Sequence, residues 1–430
     1  MRRLAGPLAL LAALAAAAPA PAARQVDAPR ALTSGPLLAG GDVVWGERVA
    51  GGGARVVAQP VAGGARRVLA AHRARSATAL GLSAGGGRVG WTLAGDGGSQ
   101  QLAVPLGGGA PAALAACGAG AVPGGVALGD GFALLRGCAA RTGAGLAASP
   151  APVTLDGVRV GTTLPPAAGG GIAAAGPFAA WREPGGAVTV LDRAAATAAA
   201  PVATGPAWTI DEAGTVVSVA AAVGRTSIAV TPRDGPTTVV ASEAGGVLGL
   251  TAAGGAIAYA TPRPGGEQEI VALRGGVRTV VARGWPAGSA GAIVATDGTR
   301  VAWAAARCGG IRIAVATIGE RPLDQRVRPC PMTIGAHGGL RRRAVTLRVT
   351  CDVLVPPASC TGALRVRARG ATIAAGTVRA GRGGAVRLPL TAAGRRLARR
   401  AGALTATVRA ARIAGGRRIA STARVRLARG

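Results

Sequence analysis

The sequence predicts an all-β protein: a seven-bladed β-propeller followed by a small immunoglobulin-like β-sandwich. Three observations predict it. Glycine (72) and proline (28) punctuate short Val, Leu and Ile runs along 430 residues, as turns punctuate strands. A phrase that starts with glycine and ends in Trp or a substitute recurs at intervals of 38 to 46 residues. After residue 343, apolar residues alternate with arginine at period two, the pattern of strands covering a core on one face.

At the N-terminus, Arg2 and Arg3 precede the apolar run Leu4–Ala18, and Ala20-Pro21-Ala22 offers a small-residue cleavage site. Residues 1–22 read as a signal peptide, since the run is too short to span a bilayer comfortably. The expected mature chain is exported, with no transmembrane segment. Its localisation is extracellular, secreted or on the cell envelope.

Composition constrains the core and the partners. Hydrophobic residues make up 49% of the chain but aromatics only 2%, so the core is built from Ala, Val and Leu. Formal net charge is +31 and every basic residue is Arg, with no Lys. Codon usage in a GC-rich genome accounts for part of that bias. The resulting field still attracts polyanions.

The repeats fill residues 30–332. They read as Gly41-Asp42-Val43-Val44-Trp45, Gly87-Arg88-Val89-Gly90-Trp91, Gly131-Phe132-Ala133-Leu134-Leu135 and Gly176-Pro177-Phe178-Ala179-Ala180-Trp181. Then come Gly214 to Val219, Gly255-Ala256-Ile257-Ala258-Tyr259 and Gly298 to Trp303. That period fits a four-stranded blade whose second strand carries the marker residue. A lone blade leaves both faces of its sheet exposed, and stacking around a ring buries them. The phrases, Val294 to Trp303 above all, resemble the WD40-like and TolB-type propeller repeats of exported bacterial proteins. The resemblance implies a TolB-like helper role. That family's separate N-terminal domain has no expected counterpart here, so the role is not carried over.

Residues 333–343 read as a Gly- and Arg-containing linker, and residues 344–430 as the basic β-sandwich, with a short helical crossover over 390–401. This segment resembles the small surface-associated β-sandwich modules of secreted actinobacterial proteins. From residue 341 onward it holds 21 Arg and one acid, Asp352. Arg365, Arg367, Arg369, Arg395, Arg396, Arg399 and Arg400 are the candidate polyanion-binding residues. The segment has no aromatic residue on which bases could stack, and with export expected, no nucleic-acid partner is. An anionic envelope polymer, or a protein, is.

Six cysteines suit an oxidising compartment, and proximity suggests the disulfides Cys117–Cys138, Cys308–Cys330 and Cys351–Cys360. Without a C-x-x-C motif, and with only His72 and His337, no metal or cofactor is expected. Gly81-Leu82-Ser83-Ala84-Gly85 matches a nucleophile elbow, but a glycine turn and a strand follow it where the chemistry needs a helix. The acids are scattered, and Asp211, Asp130 and Asp297 suit turns. Trp208 and Trp285 fall outside the repeat phrases and are the aromatics placed to stack on a sugar. The expected function is non-catalytic: an exported binding or scaffold protein with propeller loops on a protein or polymer partner and the basic module on anionic envelope material. The alternative is a channel enzyme of lyase, lactonase or glycosidase type, which needs acids or His on the innermost strands.

Overall fold

A computed structural model describes residues 24–27, 31–118, 125–136, 147–148, 150–154, 167–168, 171–183, 185–205, 207–222, 224–264, 267–286, 293–308, 310–324, 330–351, 360–380, 383–414 and 417–429. The expected signal peptide lies outside the described residues.

Among the described residues, glycine turns divide the first three-quarters of the chain into seven sheets of three or more strands, besides the two-stranded pair Ala147–Ala148 with Ala167–Ala168. Sheet 1 holds Leu32–Ala39, Asp42–Arg48, Ala54–Pro60 and Arg67–His72, paired in that order. Sheet 2 holds Thr78–Gly85, Arg88–Gly95, Gly98–Pro105 and Ala112–Cys117. Sheet 3 has three strands, Val126–Gly129, Phe132–Arg136 and Pro150–Thr154. Sheet 4 holds Ile172–Ala175, Phe178–Arg182 and Ala187–Asp192, with Thr197–Ala198 and Val202–Ala203 on its outer edge. Sheet 5 holds Ala207–Ile210, Val216–Ala222, Arg225–Thr231 and Thr238–Glu243. Sheet 6 holds Leu248–Ala253, Ala256–Pro262, Glu267–Arg274 and Val277–Pro286, with Leu323–Asp324 added in parallel.

Sheet 7 holds Ile293–Thr296, Arg300–Arg307 and Gly310–Thr317, and takes its fourth strand, Arg24–Asp27, from the other end of the chain. First strands of successive sheets touch, and that of sheet 7 touches that of sheet 1. Six sheets of four or more strands are thus arranged like propeller blades, with the three-stranded sheet between the second and the fourth.

The marker residues explain how the sheets stack. Trp45, Trp91, Leu135, Trp181, Val219, Tyr259 and Trp303 all lie on second strands, and all are buried. Trp303 packs on Ala258, Ile270 and Ala272 of sheet 6, and Tyr259 on Val217 and Ile228 of sheet 5. Trp45 packs on Ala302, Ile313 and Val315 of sheet 7. One large ring set among Ala and Val fills the gap between two sheets at interior density. Where the turns of sheets 6 and 7 meet, a Cβ on Gly298 would lie 2.7 Å from the Gly254 Cα, so the approach requires glycine at both.

The C-terminal module departs from expectation. In place of a two-sheet immunoglobulin-like sandwich, its strands form one seven-stranded ladder. The order is Ala371–Ala380, Cys360–Ala368, Ala403–Ala414, Arg417–Arg429, Met332–Leu340, Ala344–Cys351 and Gly383–Pro389. The two edge strands touch, and Ala374 bridges Leu390, so the ladder is a near-closed, barrel-like sheet. The physical reason lies in the long hairpin of Ala403–Ala414 with Arg417–Arg429, which spans what would be the gap between two sheets. Its interior is apolar, with Val345, Leu347, Val349, Leu364, Val366, Val408, Val425 and Leu427.

The linker expected over 333–343 is a strand over most of its length. Met332–Leu340 pairs antiparallel with Ala344–Cys351 and parallel with Arg417–Arg429. Its glycines mark close approach here, not a turn: a Cβ on Gly338 would lie 2.7 Å from the Thr346 carbonyl oxygen and 2.8 Å from Leu427 Cδ2. The expected crossover is the helix Ala392–Arg400, whose N-cap Thr391 Oγ1 accepts from the Gly394 N–H at 3.1 Å. Cys308 is bonded to Cys330, Cα to Cα 5.3 Å, which ties the last hairpin of sheet 7 to the start of the module. Cys117 and Cys351 are each disulfide-bonded too, though not shown as partners of one another. Cys138 and the side chain of Cys360 lie outside the described residues.

Candidate anion-binding surface

The alternation that buries one side of the module's strands places arginine on the other. Arg365 and Arg367 on Cys360–Ala368 are exposed, and so are Arg409, Arg424 and Arg426 on the next two strands. Arg365 stands directly opposite Arg409. Arg367 is opposite Thr407, which in turn is opposite Arg424, and Thr405 is opposite Arg426. Side chains directly opposite on a sheet have Cβ atoms about 5 Å apart, so like charges there repel. Arg369 sits in the turn that ends the strand and adopts φ 46°.

The helix arginines lie elsewhere. Arg395, Arg396, Arg399 and Arg400 are exposed on Ala392–Arg400, which packs on the edge strand Ala371–Ala380. A cavity of about 410 Å³ near the helix's C-terminal end is lined by Leu340, Arg341, Arg342, Ala398 and Arg429. The sequence-predicted residues therefore fall into two groups, a sheet face and a helix end. Among the described residues, none of these arginines meets a carboxylate. Sequence reasoning missed Arg409 as a member of the face, because its register against Arg365 is set by strands 44 positions apart.

In the ring, the acids that sequence reading scattered have structural partners. Tyr259 Oη donates to Glu243 Oε1 at 2.6 Å, and Arg278 Nε donates to the same oxygen at 2.8 Å. Burial raises the Glu243 pKa, but Arg278 and Tyr259 outweigh it and hold the carboxyl below its usual range. Burial and Glu243 together push the Tyr259 phenol up. Glu269 pairs with Arg263, Arg278 and Arg283. Asp297 Oδ1 accepts from the backbone N–H groups of Thr299 and Arg300 at 3.0 and 2.7 Å, and Asp211 Oδ1 likewise from Ala213 and Thr215. These are turn roles.

Ser83 lies within the strand Thr78–Gly85, with Gly86-Gly87 and the strand Arg88–Gly95 after it, so the nucleophile-elbow geometry does not form. The His72 ring lies tilted at 55° to that of Trp91 with centroids 5.9 Å apart, and burial lowers its pKa. His337 is exposed on Met332–Leu340. Trp208 is half-buried against Gly171 and the sheet 4–sheet 5 core. The side chain of Trp285 lies outside the described residues.

These features define an all-β protein with a propeller-like body and a near-closed, strongly basic C-terminal sheet. Its fold resembles that of an acylaminoacyl peptidase solved with a chloromethyl ketone (TM-score 0.51, 10% identity, covering 75% of this chain and 58% of that one). TolB from Acinetobacter baumannii is also similar (TM-score 0.37, 12% identity, 52% of this chain and 58% of that one). So is BamB from Moraxella catarrhalis (TM-score 0.38, 15% identity, 66% and 85%). The match thus spans little more than half the TolB chain. No protein-family model and no curated protein sequence matches the chain.

Proposed function

We propose that the protein is an exported, non-catalytic binding protein that holds anionic envelope polymer on its C-terminal sheet and a second partner on the loops of its ring. The carrying observation is the sheet face on which Arg365 stands against Arg409, with no carboxylate on any neighbouring described position. Such a face repels itself in the free protein, and a polyanion laid across it relieves the repulsion. Strand geometry spaces outward residues about 7 Å apart along a strand and about 5 Å across, a spacing suited to repeated anionic groups of a polymer. The ring counts seven blades in this reading, with Val126–Gly129, Phe132–Arg136 and Pro150–Thr154 as the described strands of the third. Seven second-strand marker residues and the closed succession of first strands support that count. Export rests on the signal-peptide pattern of residues 1–22.

Polyphosphate immobilised on resin tests the proposal with the full mature chain. Retention is expected at low salt and loss near 1 M salt, where the screening length falls to about 3 Å. A triple variant with Arg365, Arg367 and Arg409 changed to Ser should elute at clearly lower salt. Unchanged elution of that variant overturns the assignment.

A further inference from the structure

One arginine in the module behaves unlike the others. Along Ala403–Ala414 the residues Leu404, Ala406, Val408 and Ala410 are all buried and face the interior of the barrel-like sheet. Arg412 is next in that alternation and is 2% exposed. Its guanidinium Nε and Nη1 are buried and have no hydrogen-bond partner, and burial lowers its pKa. It stands opposite Gly362 on one side and Ile419 on the other. Met332 lies against Gly362, and the Ser421 hydroxyl is already committed to the Met332 carbonyl at 2.6 Å. Neither Nε nor Nη1 is met by an acceptor among the described residues.

The exposed arginines of the outer face keep their hydration whatever partner they take. Arg412 has lost that water. A guanidinium cannot shed its proton as a lysine can, so it stays charged. An unpaired buried charge is strongly destabilising, and a hydrophobic side chain of similar volume would be neutral or stabilising in its place. An arginine-rich composition does not account for the position, since the same strand keeps apolar residues at every other interior site. A bound anion would restore both the charge balance and the missing acceptors.

We propose that this end of the barrel-like sheet is a binding site for a single oxyanion, a carboxylate or a phosphate group, held by Arg412. The site is inside the sheet, so it differs from the outer polymer face and stands whether or not that face binds polymer. It lies at the end of the module where Met332 begins, two residues after Cys330, and hence on the side joined by disulfide to sheet 7.

Thermal unfolding of the full mature chain tests this, with sodium phosphate or sodium acetate titrated against sodium chloride at matched ionic strength. The wild-type protein should show a saturable rise in Tm with one of the two oxyanions beyond the chloride control, because a ligand that binds only the folded state stabilises it by mass action. Which salt acts tells phosphate from carboxylate. Arg412→Met should abolish the saturable rise, whereas Arg365→Ser/Arg409→Ser should keep it. Arg412→Lys retains the charge and loses the planar fork, so its apparent affinity should fall at least tenfold; it serves as the readout if Arg412→Met does not fold. The proposal is overturned if neither oxyanion exceeds chloride, or if the Arg412 variants respond as the wild type does.

Discussion

The ring and the C-terminal sheet use the same basic residue in opposite ways. In the ring, arginine is a cross-link: Arg66 pairs with Glu47, Arg67 with Asp42, Arg233 with Asp192, Arg278 with Glu243 and Arg300 with Asp297. Three arginines also lie over aromatic faces, Arg66 on Trp45, Arg193 on Phe132 and Arg233 on Phe178. In the C-terminal sheet, 21 arginines share one acid, and the described ones are solvated, opposed to one another or buried alone. The preference for Arg over Lys holds in both regions alike. The difference lies in where the carboxylates are, and the proposed polyanion binding rests on it.

Four experiments would sharpen or break that comparison. The largest effect belongs to the ring's packing. Trp303→Ala removes the side chain that fills the interface of sheets 6 and 7, and should cost about 3–5 kcal/mol in chemical denaturation. The C-terminal sheet has a hydrophobic cluster of its own, so its unfolding should be unaffected. A loss spread equally over both regions would show that they unfold as one unit.

Second, Glu243→Gln leaves Tyr259 without its charged acceptor and Arg278 with Glu269 alone, and should cost about 1–3 kcal/mol by the same measurement. Third, acid should weaken the ring before the C-terminal sheet. Glu243 and Asp297 have folded pKa values below the ordinary 4.5 and 3.8, so their contribution is present above those values and is lost as pH falls through the folded ones. His72 adds a loss that starts higher. Its folded pKa lies below 6.5, so the unfolded chain takes up its proton first and stability declines as pH drops beneath 6.5. Melting curves from pH 7 to 3 should show the ring's Tm falling, with the first part of the fall absent in His72→Gln.

The smallest effect has the opposite sign. Arg409→Thr should stabilise the C-terminal sheet by about 0.2–1 kcal/mol, since it removes a like charge directly opposite Arg365 and adds a strand-favouring residue. The same variant should bind polyphosphate more weakly. Destabilisation would mean that the outer face is already neutralised in the free protein.

The local signals were legible in the sequence. The marker residues do sit on second strands and are buried, and the helix lies within the range its spacing suggested. Asp211 and Asp297 do serve turns. What failed was long-range. Met332–Leu340 reads as a linker because Gly335, Gly338 and Gly339 look like turn residues until the strands that crowd them are known. A single ladder replaces the sandwich because period-two alternation says which face is buried and not which strand lies alongside. Arg412 escaped notice for a related reason: in a strand full of outward arginines, only the count from Leu404 shows that this one turns inward.

The strand Arg24–Asp27 also governs the order in which the ring can be completed. Arg24 lies opposite Val315, so the described strand nearest the N-terminus is edged against nearly the last part of the ring. A chain delivered N-terminus first must keep those four residues waiting until sheet 7 arrives, and until then sheet 7 presents an unpaired edge that another molecule could capture. The clasp on this circle is thus made of the first thread drawn out and fastened by the final stitch.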